Sequence, residues 1–260
     1  MKRPMSYKIF LFLTGLAGLA WLTLHAHGAM AQTVSLDFGQ DAEGTVSARI
    51  IQLVALLTIL SLAPSILIMM TCFTRVVVVL SFLRTAIGIQ QTPPNSVMIS
   101  LALFLTLFIM APTLETAYKE GMLPLMNEQI DEMEALNRSV TPFKQFMLQH
   151  VREKDLALFV EIGKIEMPKD PMALPLQVVI PAFMISELRR AFEIGFMLFL
   201  PFMIIDMVTA SILMSMGMMM LPPVTISLPF KIIFFVLVDG WYLMTGTLVR
   251  SFDAVPLPPG

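Results

Sequence analysis

The chain has 260 residues, of which 57% are hydrophobic and only 14% charged, and its mean hydropathy is +0.79. A soluble domain carries about a quarter charged residues, so the composition excludes a single water-exposed globule and points to a membrane protein. The 17 basic and 19 acidic residues nearly balance, which argues against nucleic acid as the main partner because phosphate neutralisation needs a concentrated basic face; a single cysteine, Cys72, excludes an intrachain disulfide.

At the N-terminus Lys2, Arg3 and Lys8 precede an apolar run over residues 9–24 and the tripeptide Ala29-Met30-Ala31. Basic region, apolar region and small-x-small site in that order predict a signal peptide over residues 1–31, cleaved between Ala31 and Gln32. The alternative for so long an apolar run is an uncleaved anchor. Residues 32–49, with Asp37, Gly39, Asp41, Glu43 and Gly44, read as a flexible lead-in.

Residues 50–114 read as a first hydrophobic hairpin. Its first arm is uncharged up to Thr74, longer than the roughly 20 residues a helix needs to cross the hydrocarbon core, and Pro64 is expected to kink it rather than end it. Arg75 and Arg84 then fall in a short connection that turns at Pro93-Pro94 and holds no acid. That places the connection on the cytoplasmic side by the positive-inside bias, and residues 97–114 return the chain to the outside.

Residues 115–178 carry half of all the charged residues and read as a small helical periplasmic domain. Thr141-Pro142 predicts a helix start, after which Phe143, Phe146, Met147, His150 and Val151 share one face. A second helix is expected over residues 153–162, with Leu156, Phe159 and Val160 together and Gly163 as its stop. Residues 179–252 read as a second hydrophobic hairpin turning at Pro222-Pro223, and residues 253–260 as a C-terminal tail. The residues by themselves thus describe an all-α protein of four spans with both ends outside. Two Pro-Pro turns are too little to establish an internal repeat.

Catalytic chemistry is hard to assemble from these residues. His25 and His27 lie in the predicted signal peptide, leaving His150 alone as a helix-face residue, and no Cys cluster, metal-ligand set, phosphate loop or nucleophile elbow is present. No enzyme activity, metal or cofactor is expected, and Cys72 reads as packing. Asp206, between two uncharged runs, is the ionisable group of most interest, since an acid at membrane depth is costly. It could relay protons or bind a cation, or it could pair with a basic group or helix end; Asp239, before Gly240-Trp241, poses the same choice. Glu187 and Arg190 (i,i+3), and Arg189 and Glu193 (i,i+4), can pair on one helix, either as a solvated face or as bridges between subunits. The run Met214-Ser215-Met216-Gly217-Met218-Met219-Met220 holds five methionines in seven residues. Interrupted by Gly217 and bounded by Pro222-Pro223, it reads as a loop of flexible apolar side chains, suited to an adaptable seal around a pore.

The segment from Pro181-Ala182-Phe183 through Ser186-Glu187-Leu188-Arg189-Arg190 to Gly195-Phe196 resembles one signature of the FliP family of flagellar export proteins, and Pro229-Phe230-Lys231 with Asp239-Gly240-Trp241 resembles a second. Phe73-Thr74-Arg75, Leu80-Ser81-Phe82-Leu83-Arg84 and Pro93-Pro94-Asn95 fit as well, so the likeness covers about residues 49–252. It implies a core subunit of the flagellar type III export gate: helical hairpins assembled into a pentameric helical ring with FliQ and FliR, cooperating with FlhA and FlhB, around a channel for unfolded flagellar proteins. It further implies a methionine gasket at Met218, Met219 and Met220, extended by Met214 and Met216, and it lifts the hairpins largely out of the bilayer in place of four independent spans. Glu187, Arg190, Glu193 and Asp206 are then expected in contacts between subunits. Phe146 and Phe159 are candidate contacts between copies of the periplasmic domain, from their place on its helical faces and its small size. Injectisome relatives share the apolar motifs but generally lack a cleaved signal, so Ala29-Met30-Ala31 and the charged block favour the flagellar branch.

Overall fold

A computed structural model describes residues 46–89, 92–218 and 221–253. The chain divides into two compact units, Met1–Val54 and Ala55–Gly260; the second carries the cores and the candidate site. Among the described residues every regular element is helical: α1 (Val46–Met69), α2 (Phe73–Ile87), α3 (Asn95–Ala117), a π-helical turn (Tyr118–Met122), α4 (Leu123–Met126), α5 (Glu132–His150), α6 (Glu153–Ile162), a 3-10 turn (Pro171–Ala173), α7 (Leu176–Ser215), α8 (Pro223–Leu237) and α9 (Gly240–Asp253).

The expected connection around Arg75 and Arg84 is instead a helix, α2, with a buried face. Val76, Val79, Leu80, Leu83 and Ile87 recur at helical spacing and are all buried, and their packing overrides the weak helix propensity of a valine run. Gly88, at φ 87°, ends the helix in the left-handed conformation that glycine adopts without penalty. Close approach also matters midway along α7, where a Cβ on Gly195 would sit 2.5 Å from the Phe82 ring of α2. The two helices meet there because position 195 has no side chain.

Two further expectations shift at their boundaries. The charged block does not begin at a break: the span from Asn95 to Met126 is one 32-residue helical run, carried through the π-helical turn. Nor does α5 start at Thr141-Pro142. It starts at Glu132, where the Asp131 carboxylate accepts the Glu134 N–H at 2.7 Å, and it continues through Pro142. A carboxylate cap closer to the chain's actual turn wins over the Thr-Pro pair. The predicted face holds, with Phe143, Phe146, Met147 and His150 buried, as does α6, which spans the expected residues and is followed by Gly163.

Buried residues form two clusters. One gathers Phe143, Phe146, Met147, Leu156, Val160, Phe183 and Phe252 around α5, α6 and the start of α7; the other gathers Val76, Leu80, Leu83, Ala102, Ala191, Phe202, Phe235 and Leu248 around α2, α3 and the middle of α7. Among the described residues two helices, the run ending at Met126 and the 40-residue α7, are long and apolar enough to cross a membrane; α8 and α9, bent by 63°, make a third if taken as one broken span. That is fewer than the four spans read from the residues. Many large apolar side chains on these helices, Phe104, Phe108, Phe196 and Met197 among them, face outward, available to lipid or to other chains.

Candidate functional site

The connection between α7 and α8 is built by its glycine and prolines. Gly217 N–H donates to Met214 O at 3.1 Å and Met218 N–H reaches back to Leu213 O at 3.0 Å, the paired bonds of a Schellman ending. Gly217 sits at φ 73° with open space around its Cβ position, so backbone conformation rather than crowding calls for glycine. Pro222 and Pro223 then open α8, where a missing N–H costs nothing. On this short turn the side chains of Met214, Met216 and Met218 are 59%, 65% and 44% exposed. Met219 and Met220 lie outside the described residues. Unbranched thioether side chains held at such a turn can adapt to a varied surface while excluding water.

Below the turn, eight residues or about 12 Å back along α7, the Asp206 carboxylate accepts from Ser227 Oγ at 2.5 Å and from Lys231 Nζ at 2.6 Å. Lys231 Nζ also donates to Ala86 O at 3.3 Å. One acid thus ties α7 to α8, and through the buried Lys231 to the end of α2. The loop rests on a pinned helical hairpin.

A second polar cluster centres on the adjacent residues Ser186 and Glu187, both fully buried. Glu187 faces α2, where Arg75 Nε donates to Oε2 at 2.8 Å and Arg75 Nη2 bonds Oε1. Arg75 Nη1 donates to Ser251 Oγ at 2.9 Å, and the guanidinium lies 3.6 Å from the centre of the Phe252 ring. Ser186 faces the other way, donating to Asp155 Oδ2 at 2.6 Å and accepting Arg152 N–H at 3.1 Å. Burial opposes ionisation of Asp155, yet the bonds from Ser186 and Arg152 outweigh it and hold the carboxyl below its ordinary range. His150 is buried beside this cluster, its Nδ1–H donating to Phe146 O at 2.8 Å and its Nε2 facing Phe252 O at 3.3 Å. Burial pushes its pKa down, helped by the charge of Arg75 and opposed by the two carbonyls and Glu187. Two neighbouring residues of α7 therefore fasten the charged block on one side and the apolar helices α2 and α9 on the other.

The FliP family model matches residues 56–248. This chain belongs to the FliP family. It is 59% identical over 239 residues to the flagellar biosynthetic protein FliP of Caulobacter vibrioides, covering 92% of this chain and 89% of the relative. It is 55% identical to the protein of the same name from Bacillus subtilis, covering 86% of this chain and all of the relative, and 55% identical to that of Aquifex aeolicus, covering 78% and 86% respectively.

In this FliP-family chain the sequence-derived residues fall in different settings. Glu187 pairs with Arg75 of α2 and not with Arg190, since burial on the α2 side takes its carboxylate away from the helix surface. Arg189 and Glu193 do pair, at 2.7 Å on the exposed face. Arg190 is half-buried with no ion pair among the described residues. Phe146 is part of the first core cluster, its ring 6.0 Å from Phe183 and 6.1 Å from Phe252, while Phe159 packs against that cluster half-buried. His150 lies on the expected apolar face of α5 and is buried there, not at the surface. Ala29, Ala31 and Gln32 lie outside the described residues. Arg75, Arg152, Asp155, Lys231, Ser227 and Ser251 were not singled out as site residues by the sequence. Arg152 and Asp155 pair at i,i+3, a spacing that is visible in the sequence; the others meet partners 21 to 176 positions away, for which spacing carries no signal.

Proposed function

We propose that this chain is a structural, non-enzymatic subunit of the flagellar protein-export apparatus, and that several copies form a ring whose methionine turn seals the path of unfolded flagellar proteins across the inner membrane. Membership of the FliP family, with relatives that are flagellar biosynthetic proteins over most of their length, supports the apparatus. The observation that carries the pore is the Gly217 turn, which holds Met214, Met216 and Met218 outward between two apolar helices pinned by Asp206. Apolar constrictions of this kind gate by dewetting. In this reading FliQ and FliR complete a pentamer-based core, FlhA and FlhB act beside it, the signal peptide is removed after Ala31, and residues 115–178 lie in the periplasm with the two ends of the mature chain. Exposed apolar residues along α3 and α7 fit contacts within such an assembly.

The bonds of Asp206 to Ser227 and Lys231 weigh against its use as a lone ion relay. Photocrosslinking from Met218 or Met219 to a flagellar protein stalled in transit tests the reading: an adduct is expected, and its absence, with stalled substrate still bound to the apparatus, overturns the pore lining. Replacing Met218, Met219 and Met220 with alanine is expected to let small ions leak across the membrane and to alter secretion. A triple variant unchanged in both respects removes the seal.

A further inference from the structure

Four acids lie between residues 176 and 252, and three of them have a cation: Glu187 has Arg75, Glu193 has Arg189 at 2.7 Å, and Asp206 has Lys231 at 2.6 Å. The fourth, Asp239, has none among the described residues. It is exposed, it is the one charged residue in positions 232–249, and no donor within the described chain reaches its carboxylate. Its place in the fold is unusual as well. Asp239 stands at the 63° bend between α8 and α9 with φ 49°, a left-handed conformation that an L side chain rarely adopts. Only its backbone is engaged there, the carbonyl accepting Leu243 N–H at 3.1 Å, so helix capping by its side chain does not account for it. Glycine is required one position later: a Cβ at Gly240 would run into the Phe235 ring. The bend is therefore held in shape, and it aims a carboxylate outward from an apolar surface on which Leu237 is 79% and Tyr242 68% exposed, with Val236 and Trp241 beside them.

At membrane depth a carboxylate is costly unless it is paired, and between residues 176 and 252 this chain pairs every other acid internally. We propose that Asp239 and the apolar surface around the α8–α9 bend are a docking site for an apolar helix of a different protein chain, and that this helix carries one lysine or arginine which pairs with Asp239. Charge complementarity selects the occupant: lipid tails would cover Leu237 and Tyr242 but would leave the carboxylate unmatched, whereas a cationic apolar helix satisfies both. The fixed bend sets where along the partner helix that cation must sit.

The test uses the intact apparatus in membranes, with benzophenone-bearing residues placed at Tyr242 or Leu237 and, as a control, at the outward-facing Phe104 of α3. An adduct with another protein is expected from the first two positions, mapping to an apolar segment that contains a lysine or arginine. In Asp239→Asn this adduct is expected to fall at least about tenfold while Asp239→Glu keeps most of it and the Phe104 signal stays level. Charge reversal of the mapped cation is expected to restore the adduct in Asp239→Lys. An adduct of twice this chain's mass, labelling of lipid alone, a mapped segment without a basic residue, or full crosslinking in Asp239→Asn each overturns the proposal. Because the mapping is done on the otherwise native chain, it stands even where a variant fails to accumulate.

Discussion

Arg75 and Glu187 join helices 112 positions apart with both side chains buried, and their removal one at a time discriminates between a pair that organises the fold and one that merely fills space. In Arg75→Met the Glu187 carboxylate loses both guanidinium bonds and remains buried, and breaking a buried pair from one side costs about 3–5 kcal/mol. Glu187→Leu is milder by about 1–2 kcal/mol, because the guanidinium keeps Ser251 Oγ at 2.9 Å, Ser251 O at 3.3 Å and the face of Phe252. The double variant Arg75→Met/Glu187→Leu removes both charges and leaves Ser251 Oγ bonded to Leu248 O at 2.7 Å, so the protein group left short of a donor is the Ser251 carbonyl in the last turn of α9. The double variant is expected within about 1 kcal/mol of the native chain. Against a total stability of about 5–15 kcal/mol the single changes are large. Reversible unfolding in detergent micelles, followed by the fluorescence of Trp241, measures all four proteins. An Arg75→Met cost below about 0.5 kcal/mol, the range of ordinary surface changes, would refute the reasoning. So would a double variant whose loss equals the sum of the singles.

Gly195→Ala is expected to loosen the α2–α7 contact by about 1–3 kcal/mol, since its Cβ would meet the Phe82 ring at 2.5 Å; increased cleavage by protease within α2 is the readout. Ser186→Ala should free the charged block, because Asp155 loses the 2.6 Å bond and Arg152 N–H its acceptor, raising hydrogen exchange in α6 before that in α2. Asp155 has a folded pKa below its unfolded value near 4, so its contribution is present above that pH and disappears as pH falls through the folded pKa; Asp155→Asn is expected to flatten the stability profile below about pH 4. His150, whose pKa is also lowered by burial, costs stability as pH drops below about 6.5, where the unfolded ring takes up a proton that the folded one resists. His150→Gln should remove that slope, measured as the unfolding midpoint between pH 7 and 5.

What the residues made legible was periodic and local. The α5 face, the whole of α6 and the Gly217 turn followed from apolar spacing and from glycine and proline, whose effects act within a few positions. Two misreadings had signals that were present and outweighed. Asp131 three positions before Glu134 is the start of α5, but Thr141-Pro142 looked like a stronger one. Positions 76, 79, 80, 83 and 87 are the spacing of a buried helix, yet the positive-inside bias makes Arg75 and Arg84 read as a cytoplasmic connection. The partner of Glu187 could not be read at all: Arg190 was the near candidate by helical geometry, and Arg75 is brought there only by the packing of α2 on α7, for which the absent side chain of Gly195 is a condition.

That outcome explains why so apolar a chain keeps the charges it has. Burial of apolar surface is nondirectional and grows with area, so long helices of leucine, isoleucine, valine, methionine and phenylalanine can slide or rotate against one another at little cost. A bidentate ion pair cannot. Glu187 on Arg75 sets the position of α7 along α2, Ser186 on Asp155 sets the charged block against the same turn of α7, and Asp206 on Lys231 sets α8 against α7 below the methionine turn. A slip of one residue on any of these helices rotates a side chain by about 100° and breaks its pair while leaving the apolar contact area nearly unchanged. The sparse charges therefore specify which of many similar apolar packings is adopted. By the same logic Asp239, an acid with no cation among the described residues, is proposed to specify the packing of a helix from another chain.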